Sequence, residues 1–503
     1  MAYSRPGVYI SERLLPAVLP SGVTANAAGA VVAPFAQGPE TVTLVNSWYE
    51  FTKYFGGYNA SYPATFQVGA FFQNGGRELY VQRLLATNAV AAFRNLTDGG
   101  GATAATVTSK NAGTDGNNLR AVLSDGDVDG TYTLTLYKES GVSGDITDDV
   151  LLESYANIIF DDSASSDYAP TVINTVSPNI SVSVSGSYAG ASITKATYPL
   201  TSGSNGTATA STDYTNYKAS GSSVFERFSP LDRPLVVFLP VVNALASGSV
   251  GVFDAATSWA EENNGFVVIG TDPDLTVANA ISFAGSLADT SNAAVYYPNI
   301  FIADPIGRGS GALRKLEPTG SVAGLYLNTD ANRGVFKAPA GIGTTVQGVV
   351  ALEKSFTSSE LDSMNASTSP VNAIRQIPGA GISVMGARTL KQDGTANKYV
   401  NMRRSLIYIR KNLKNLTEFA IFENNDERLW ARINTTLGAF LNEYRNQGGL
   451  RGATASQAYF VKCDAENNTA QSIANGEVHI QVGVALQYPA EFIVIDLSQK
   501  TLN

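Results

Sequence analysis

The fold of this chain is decided by residues 233–270, which read RPLVVFLPVVNALASGSVGVFDAATSWAEENNGFVVIG. An apolar run at 235–239 comes first, a helical segment around 253–262 follows, and a second apolar run closes the stretch at 266–269. Unbroken apolar runs that are separated by helices are typical of parallel strands covered on both faces. We therefore expect a parallel sheet with helices on both sides.

The same pattern continues on either side of this stretch. Further apolar runs read as strands at 30–33, 79–84, 294–297 and 300–303. A helix is expected around 64–72, and it stops at an Asn-Gly-Gly sequence. We predict a mixed α/β (α+β) fold class, in which 23–95 and 223–357 form one discontinuous α/β domain.

Residues 96–222 have a different composition, dominated by Ser, Thr, Gly, Ala and Asp. Alternating apolar and polar residues at 131–137 predict half-buried antiparallel strands. We interpret the segment as an inserted β-rich outer domain. A flexible low-complexity linker is the alternative, which the Tyr and Ile content disfavours. Acidic residues at 125–129 resemble the start of a calcium loop, but Leu136 occupies the position of the bidentate acid, so an acidic turn is favoured.

Residues 358–485 are predicted to form a C-terminal domain built around two amphipathic helices. In the first, apolar residues recur at spacings of 3, 4, 3 and 4 from Tyr399 to Leu413. The second covers about 429–444, after an Asn-Asn-Asp cap and before Gly448. Residues 1–22 and 486–503 flank the domains as N-terminal and C-terminal arms.

Composition limits the kinds of chemistry. The chain has 503 residues, enough for about three domains. Its single cysteine and single histidine argue against a disulfide framework, a metal site and most His-based catalysis, so we expect no cofactor. No run of about 20 apolar residues and no signal-peptide core is present, so we expect no direct membrane insertion and a protein made in a cytoplasm.

Charge is scarce and unevenly placed. Charged residues make up 15% of the chain, against about 25% in typical soluble domains. That scarcity suits a subunit that buries much surface against its own copies, or a β-rich protein with uncharged polar faces. The net charge is −9, yet residues 398–414 carry six cations and no acid, which leaves −15 elsewhere.

The basic segment allows three interpretations. It is a solvated helix face, a surface that docks onto an acidic partner, or a nucleic-acid site. The acidic chain and the lack of interleaved aromatic residues disfavour nucleic acid. The candidate contact residues on this helix are Arg403, Arg404, Arg410, Lys411 and Lys414, and the helix at 426–445 is the other candidate for the contact.

Both arms contain a short apolar strand among turn residues. The strand residues are Val8, Tyr9 and Ile10 in the first arm and Phe492, Ile493, Val494 and Ile495 in the second. An extended segment can add to the open edge of another chain's sheet, so we predict that these residues join subunits. The alternative is that both arms fold back on their own domain.

Several short motifs point to one family. They are Asn401-Met402-Arg403-Arg404, Phe422-Glu423-Asn424-Asn425, Leu429-Trp430, Gly448 to Gly452, Phe460 to Asp464, Asn468-Thr469, Pro489 to Ile493, and, nearer the N-terminus, Gly38-Pro39, Phe55-Gly56-Gly57, Asn74-Gly75-Gly76 and Gly116 to Leu119. Taken together along the chain, these motifs resemble those of contractile tail sheath proteins.

This resemblance implies a mechanical function without catalysis. Sheath subunits form a helical stack of hexameric rings around a tail tube and contract to drive the tube through a cell envelope. The implied partners are further copies of the chain, an acidic tail tube protein, and baseplate and tail terminator proteins, with no nucleic acid. The implied location is a virion tail or another contractile particle that is assembled in a bacterial cytoplasm. Phage and injection system remain alternatives.

Two other functions remain open at this point. One is an α/β enzyme with a β-rich accessory domain and a site at the turn 270–273. The other is a different self-assembling shell or surface-layer protein. Nucleotide or metal binding would favour the enzyme, and flat sheets or closed shells would favour the shell.

Overall fold

The computed structural model describes residues 27–139, 149–207, 209–245, 247–309, 311–391 and 396–491, called the described residues below. The predicted arm strands at 8–10 and 492–495 lie outside them. Internal contacts divide the chain into two units. The larger unit comprises described residues 27–404 with 488–491, and the C-terminal unit comprises 405–487.

Helices and strands are interspersed along the chain, which confirms the mixed fold class. The strands are β1 (Ala28–Ala33), β2 (Thr43–Val45), β3 (Leu79–Arg83), β4 (Ala91–Thr97), β5 (Thr103–Ala112), β6 (Leu119–Asp125), β7 (Tyr132–Lys138), β8 (Val150–Ile158), β9 (Ile180–Val184), β10 (Thr197–Pro199), β11 (Leu235–Phe238), β12 (Gly265–Ile269), β13 (Ala293–Tyr297), β14 (Ile300–Ala303), β15 (Leu313–Leu316), β16 (Val349–Leu352), β17 (Val371–Ile377), β18 (Gly381–Val384), β19 (Tyr459–Lys462) and β20 (Gln481–Val484). The helices are α1 (Trp48–Phe55), α2 (Ala64–Gln73), α3 (Ala169–Val176), α4 (Ser211–Thr215), α5 (Ser249–Glu262), α6 (Val277–Ser286), α7 (Thr319–Arg333), α8 (Ser358–Ala366), α9 (Val400–Thr417), α10 (Glu427–Asn446), α11 (Ala455–Ala458) and α12 (Ala470–Ala474). Within the described residues, no helix combines the length and the apolar character needed to cross a bilayer.

Side-chain caps fix where several helices begin. The Ser47 hydroxyl accepts a hydrogen bond from the Glu50 amide (3.1 Å) at the start of α1. Thr357 and Glu360 form a reciprocal capping box at α8. The predicted cap of α10 is confirmed, because the Asp426 carboxylate accepts from the amides of Arg428 (3.0 Å) and Leu429 (2.9 Å).

The larger unit is built on an eight-stranded sheet with the order β18-β17-β13-β12-β11-β1-β3-β2. The six central strands run parallel, and the edge strands β2 and β18 run antiparallel to their neighbours. The apolar runs at 235–239 and 266–269 form neighbouring strands, with Leu235 opposite Gly265 and Phe238 opposite Val268. The predicted parallel sheet is confirmed.

Each central strand sends alternate side chains into two separate cores. On β11, for example, Leu235 and Val237 lie in one core, while Val236 and Phe238 lie in the other. Helices α5 and α6 supply residues to the first core, and helices α1, α2 and α7 supply residues to the second. Burial on both faces explains why these strands read as continuous apolar runs.

Two antiparallel sheets lie between β3 and β11 in the chain. One has the order β4-β5-β9 and the other β10-β6-β7-β8, and a common core joins them with helix α3. On β7, Leu134 and Leu136 are buried, whereas Thr135 between them is only partly buried. This alternation is the half-buried antiparallel strand that the sequence predicted at 131–137.

A buried arginine connects these antiparallel sheets to the large sheet. The Arg83 guanidinium lies at the end of β3 and donates to the backbone carbonyls of Phe35 (3.1 Å), Gly38 (3.0 Å) and Ala112 at the end of β5 (2.9 Å). Burial lowers the pKa of Arg83, with Glu40 opposing that change. The backbone carbonyls satisfy a side chain that would otherwise be costly to bury.

The structural division differs from the predicted boundary at 357/358. Strands β17 and β18 belong to the large sheet, and the larger unit continues to Arg404. The reason is that β17 pairs in parallel with β13, where Val371 lies opposite Val295, and buries its apolar residues in the cores of that sheet. The sequence of a strand at one side of a sheet does not indicate which sheet the strand joins.

The C-terminal unit is organised by aromatic contacts between its two long helices. The ring centroids of Tyr408 on α9 and Tyr444 on α10 lie 5.6 Å apart, and Tyr408 also contacts Phe440 at 6.3 Å. The hydroxyl of Tyr444 donates to the Ser405 hydroxyl (3.0 Å). Both helices match the predicted amphipathic segments.

One buried ion pair holds the first turn of α9 within the larger unit. The guanidinium of Arg404 binds both carboxylate oxygens of Asp330 on α7, with a distance of 2.9 Å from Nη1 to Oδ1. Their side chains are 3% and 1% exposed. Burial raises the pKa of Asp330, and the nearby Arg404 charge opposes the rise. The guanidinium also lies 4.8 Å from the centroid of the Tyr326 ring.

A second carboxyl with a raised pKa belongs to Glu317, a half-buried residue. Glu317 lies just before α7, and its Oε2 atom is inaccessible and has no hydrogen-bond partner among the described residues. Burial raises the pKa of Glu317 to about 8, a rise that nearby Asp272 adds to and that Gln67 and Asn243 oppose. The folded chain therefore holds this proton at pH values where an unfolded chain has released it.

We predict that Arg404→Met lowers the free energy of unfolding by about 3–5 kcal/mol, because it leaves Asp330 buried without a counter-charge. Arg410→Met is the matched control on the exposed side of α9, with an expected change within about 0.5 kcal/mol. Urea unfolding measures both values. Adding Asp330→Leu to Arg404→Met should restore part of the loss. Equal effects of the two arginine substitutions would contradict this account.

We also predict that the free energy of unfolding falls as pH rises from about 4.5 to about 8, since the folded state binds the Glu317 proton more tightly than the unfolded state does. Glu317→Gln mimics the protonated form and should be more stable than the natural chain by about 2–4 kcal/mol near pH 9. Urea unfolding near pH 6 and near pH 9 tests this. The control is Glu262→Gln, which removes an exposed charge. Identical pH dependence in all three proteins would refute the assignment.

Candidate assembly interface

The basic residues predicted on the first C-terminal helix are not placed alike. Arg404 is buried in its ion pair, and Lys411 is 1% exposed. Arg403 is half-buried and donates from Nε to the Asn292 side-chain oxygen (2.9 Å). Arg410 and Lys414 are exposed and lie four residues apart, on one face of the helix.

This placement corrects the expectation that all the basic residues lie on a polar face. Residues Ile407 and Leu416, outside the predicted apolar stripe, are also buried, at 5% and 4% exposure. The prediction assumed that only one apolar stripe of the helix is buried. When a helix is covered on more than one side, charged residues outside that stripe are buried as well. The prediction of a contact with a partner surface now rests on Arg410 and Lys414.

A small antiparallel sheet of β19 and β20 forms the second candidate surface. The two strands pair from Tyr459 opposite Val484 to Lys462 opposite Gln481. Among the described residues, no third strand joins this sheet, and only residues 450–451 pair beside it, with Ala485 and Leu486 just beyond the end of β20. Unpaired strand edges offer backbone donors and acceptors to a strand from another chain.

The core of the C-terminal unit holds this sheet in place. The Asn434 amide on α10 donates to the Cys463 carbonyl (2.8 Å), and the Tyr459 hydroxyl donates to the Gly438 carbonyl (3.1 Å). Buried Asn468 accepts from the His479 amide (2.7 Å) and donates to the His479 carbonyl (3.2 Å). Helix α10 therefore anchors β19, and Asn468 closes the connection that leads to β20.

Phe460 gives the sheet an exposed apolar side chain. It is 51% exposed and lies opposite Gly483 in the register. A Cβ atom at Gly483 would come within 2.1 Å of the Phe460 ring, so the ring requires glycine there. Phe460 thus covers its partner strand and leaves part of its ring available to another chain.

A second apolar feature lies between α9 and α10, at Ile421 and Phe422. Their exposures are 66% and 104%, and Phe422 has a φ of 65°, a left-handed conformation that is unfavourable for a bulky residue. Strained residues of this kind concentrate at functional sites. Phe422 belongs to the motif Phe422-Glu423-Asn424-Asn425, but neither its exposure nor its φ can be predicted from a sequence pattern.

The side chains considered for catalysis have ordinary surroundings. Burial raises the pKa of the Cys463 thiol, which favours its unreactive protonated form. His479 is exposed and lies 3.0 Å from the Glu477 carboxylate. Among the described residues, no group of three or more His, Cys, Asp or Glu side chains is arranged to hold a metal ion. The acidic turn between β6 and β7 pairs Asp125 with Lys195.

Sequence comparison finds that part of the chain is similar to a known family. Residues 392–500 match the phage tail sheath C-terminal domain. The tail sheath protein of Vibrio phage KVP40 is 24% identical over 178 residues, which cover 35% of this chain and 25% of that protein. The tail sheath protein of Salmonella phage ViI is 23% identical over 128 residues, which cover 25% of this chain and 19% of that protein. The matches thus span a quarter or less of these relatives.

Comparison with solved structures covers nearly the whole chain. The anti-feeding prophage helical sheath in its contracted state has a TM-score of 0.60 and 21% identity, covering 99% of this chain and 100% of the other. The sheath tail protein of Listeria innocua also has a TM-score of 0.60, with 14% identity, covering 92% of this chain and 96% of the other.

The resemblance inferred from short motifs is confirmed by independent comparisons of sequence and structure. At these identities the solved structures establish the fold. Residues 392–500 carry the signature of the phage tail sheath C-terminal domain, and the chain has the fold of contractile tail and injection-system sheath proteins.

Proposed function

We propose that this chain is the structural subunit of a contractile sheath. It polymerises as a helical stack of hexameric rings around a tail tube, and it contracts to drive the tube through a target envelope. The observation that carries the proposal is the fold match over 99% of the chain to a helical sheath in its contracted state. The assembled particle is a virion tail or another contractile particle, assembled in a bacterial cytoplasm.

In this proposal, the sheet of β19 and β20 is where neighbouring subunits join. Strand residues Val8 to Ile10 and Phe492 to Ile495 of other copies add to its edges, with backbone hydrogen bonds giving affinity and Phe460 adding apolar contact. A head-to-tail contact of this kind repeats from subunit to subunit. It gives a closed ring if the rotation between neighbouring subunits completes a full turn, and an open helix if it does not. Rings and helices both follow from that rule.

Contraction requires two arrangements of the sheath, a metastable extended one and a contracted one of lower free energy, because driving a tube through an envelope takes work. We propose that strand pairing persists in both, while the surfaces between subunits and around the tube change. Low charge supports this proposal, because only 15% of residues are ionisable Asp, Glu, Lys or Arg, and little desolvation cost opposes repacking. The trigger comes from a baseplate, and a terminator protein ends the stack.

Arg410 and Lys414 are proposed to contact an acidic tube. They are exposed cations on one face of α9, within a chain of net charge −9. Exposed charges of this kind set register and association rate more than affinity. Such weak contacts suit a sheath that must release its tube and slide along it.

We predict that the protein expressed alone forms hollow tubes of uniform diameter, visible by negative-stain electron microscopy. Deleting residues 1–22 or 486–503 should abolish the tubes, because each deletion removes an exchanged strand. Circular dichroism checks that the shortened chains fold. A wild-type protein that stays monomeric at high concentration and across salt conditions would contradict the proposal, and flat sheets would favour a shell protein instead.

We further predict that Arg410→Glu with Lys414→Glu leaves tube formation by the isolated protein unchanged but weakens assembly around the tube protein by about tenfold or more at low salt, through like-charge repulsion. The matched control is Arg428→Glu, an exposed cation on α10. Cosedimentation with preformed tubes measures both. Loss of binding in the α10 variant alone would assign the contact to α10.

A further inference from the structure

The last described residues of the chain, 488–491, are held at a specific place on the larger unit. The guanidinium of Arg388 donates from Nε to Glu491 Oε1 (2.8 Å) and from Nη2 to Glu491 Oε2 (2.7 Å). The Tyr399 hydroxyl also donates to Glu491 Oε2 (3.3 Å), and the Tyr399 ring meets the Tyr488 ring edge-on at 6.3 Å. A bidentate pair fixes direction as well as distance.

The receiving side of this contact is rigid. Buried Asn372 accepts from the Arg388 amide (2.7 Å) and donates to the Arg388 carbonyl (2.8 Å) and to the Val295 carbonyl on β13 (3.0 Å). The remaining guanidinium nitrogen of Arg388 donates to the Asn365 carbonyl (2.6 Å). The backbone and the side chain of Arg388 are therefore both tied to the sheet, whatever Glu491 does.

The position of Glu491 in the chain gives this contact a consequence. Glu491 immediately precedes the arm strand at Phe492 to Ile495. We propose that Arg388 is a positioning residue for strand exchange: by holding Glu491, it makes the C-terminal arm leave its own subunit from one fixed point. This inference rests on the proposed function.

The physical gain is preorganisation. Without the contact, residues 488–491 are free in the monomer and must be ordered when the arm pairs with a neighbour, which weakens assembly. A fixed root also raises the effective concentration of the arm at its acceptor sheet. The opposing view is that Arg388 and Glu491 form an ordinary surface pair with almost no effect.

A double-mutant cycle separates these views. The variants are Glu491→Gln, Arg388→Met and their combination, and the control is Asp289→Asn, which breaks the Lys391 pair (2.7 Å) elsewhere on the larger unit with the same change in charge as Glu491→Gln. The measured quantity is the half-assembly concentration, which is the total protein concentration at which half of the protein molecules sediment as tubes. Thermal unfolding of the monomer is followed in parallel.

We expect each single variant to raise the half-assembly concentration by about tenfold, and the double variant to raise it no further, since both remove the same contact. The control should assemble as the wild type does. The monomer should keep its unfolding temperature within about 2 °C in Glu491→Gln, because an ion pair that solvent still reaches, with side chains 14% and 24% exposed, contributes little to stability.

Other outcomes overturn the inference in distinguishable ways. Normal assembly by both single variants removes the positioning role and leaves the sheath function standing. Loss with Glu491→Gln alone means that Glu491 contacts another subunit. A wild type without tubes overturns the proposed function and this inference with it. If Arg388→Met does not fold, a nitroxide spin label attached to Ala490→Cys provides the test. The mobility of the label in the monomer must rise when Glu491→Gln is added. Unchanged mobility rejects the contact.

Discussion

The structure depends on one constraint, which is that the large parallel sheet is buried on both faces. Every central strand must place apolar side chains above and below the sheet, so helices have to cover both sides. Additional parts of the chain can then attach only at the edges and ends of the sheet. Arg83 ties the end of β5 to the large sheet, and Arg404, near the start of α9, is buried against Asp330.

The opposite condition holds in the C-terminal unit. Its two-stranded sheet is small. Pairing within the described residues leaves most of its outer edges open, apart from the contact of residues 450–451 with Ala485 and Leu486 just beyond the end of β20. An isolated pair of strands is marginal in water unless further strands or a helix support it. Helix α10 provides one support through Asn434. In our account, strands from neighbouring subunits provide the other, and a structural liability becomes the rule of assembly.

Much of this organisation could be predicted from the sequence, where a single physical cause dominates. Continuous apolar runs predicted the parallel sheet, alternation predicted β7, and Asp426 marked the start of α10. The prediction was less accurate where tertiary contacts decide. No pattern distinguishes buried Arg404 from exposed Arg410, because the partner Asp330 is 74 residues away. The full exposure and left-handed conformation of Phe422 could not be predicted, because a sequence pattern specifies neither.

The central claim is that the open edges of β19 and β20 receive strands from other copies of the chain. The most direct measurement is a helical reconstruction of the assembled protein by electron cryomicroscopy, at a resolution that traces the backbone. Our account predicts a sheet extended beyond two strands, with residues 8–10 and 492–495 of neighbouring subunits paired at its edges. Edges covered by the subunit's own arms, or left in solvent, would contradict the account.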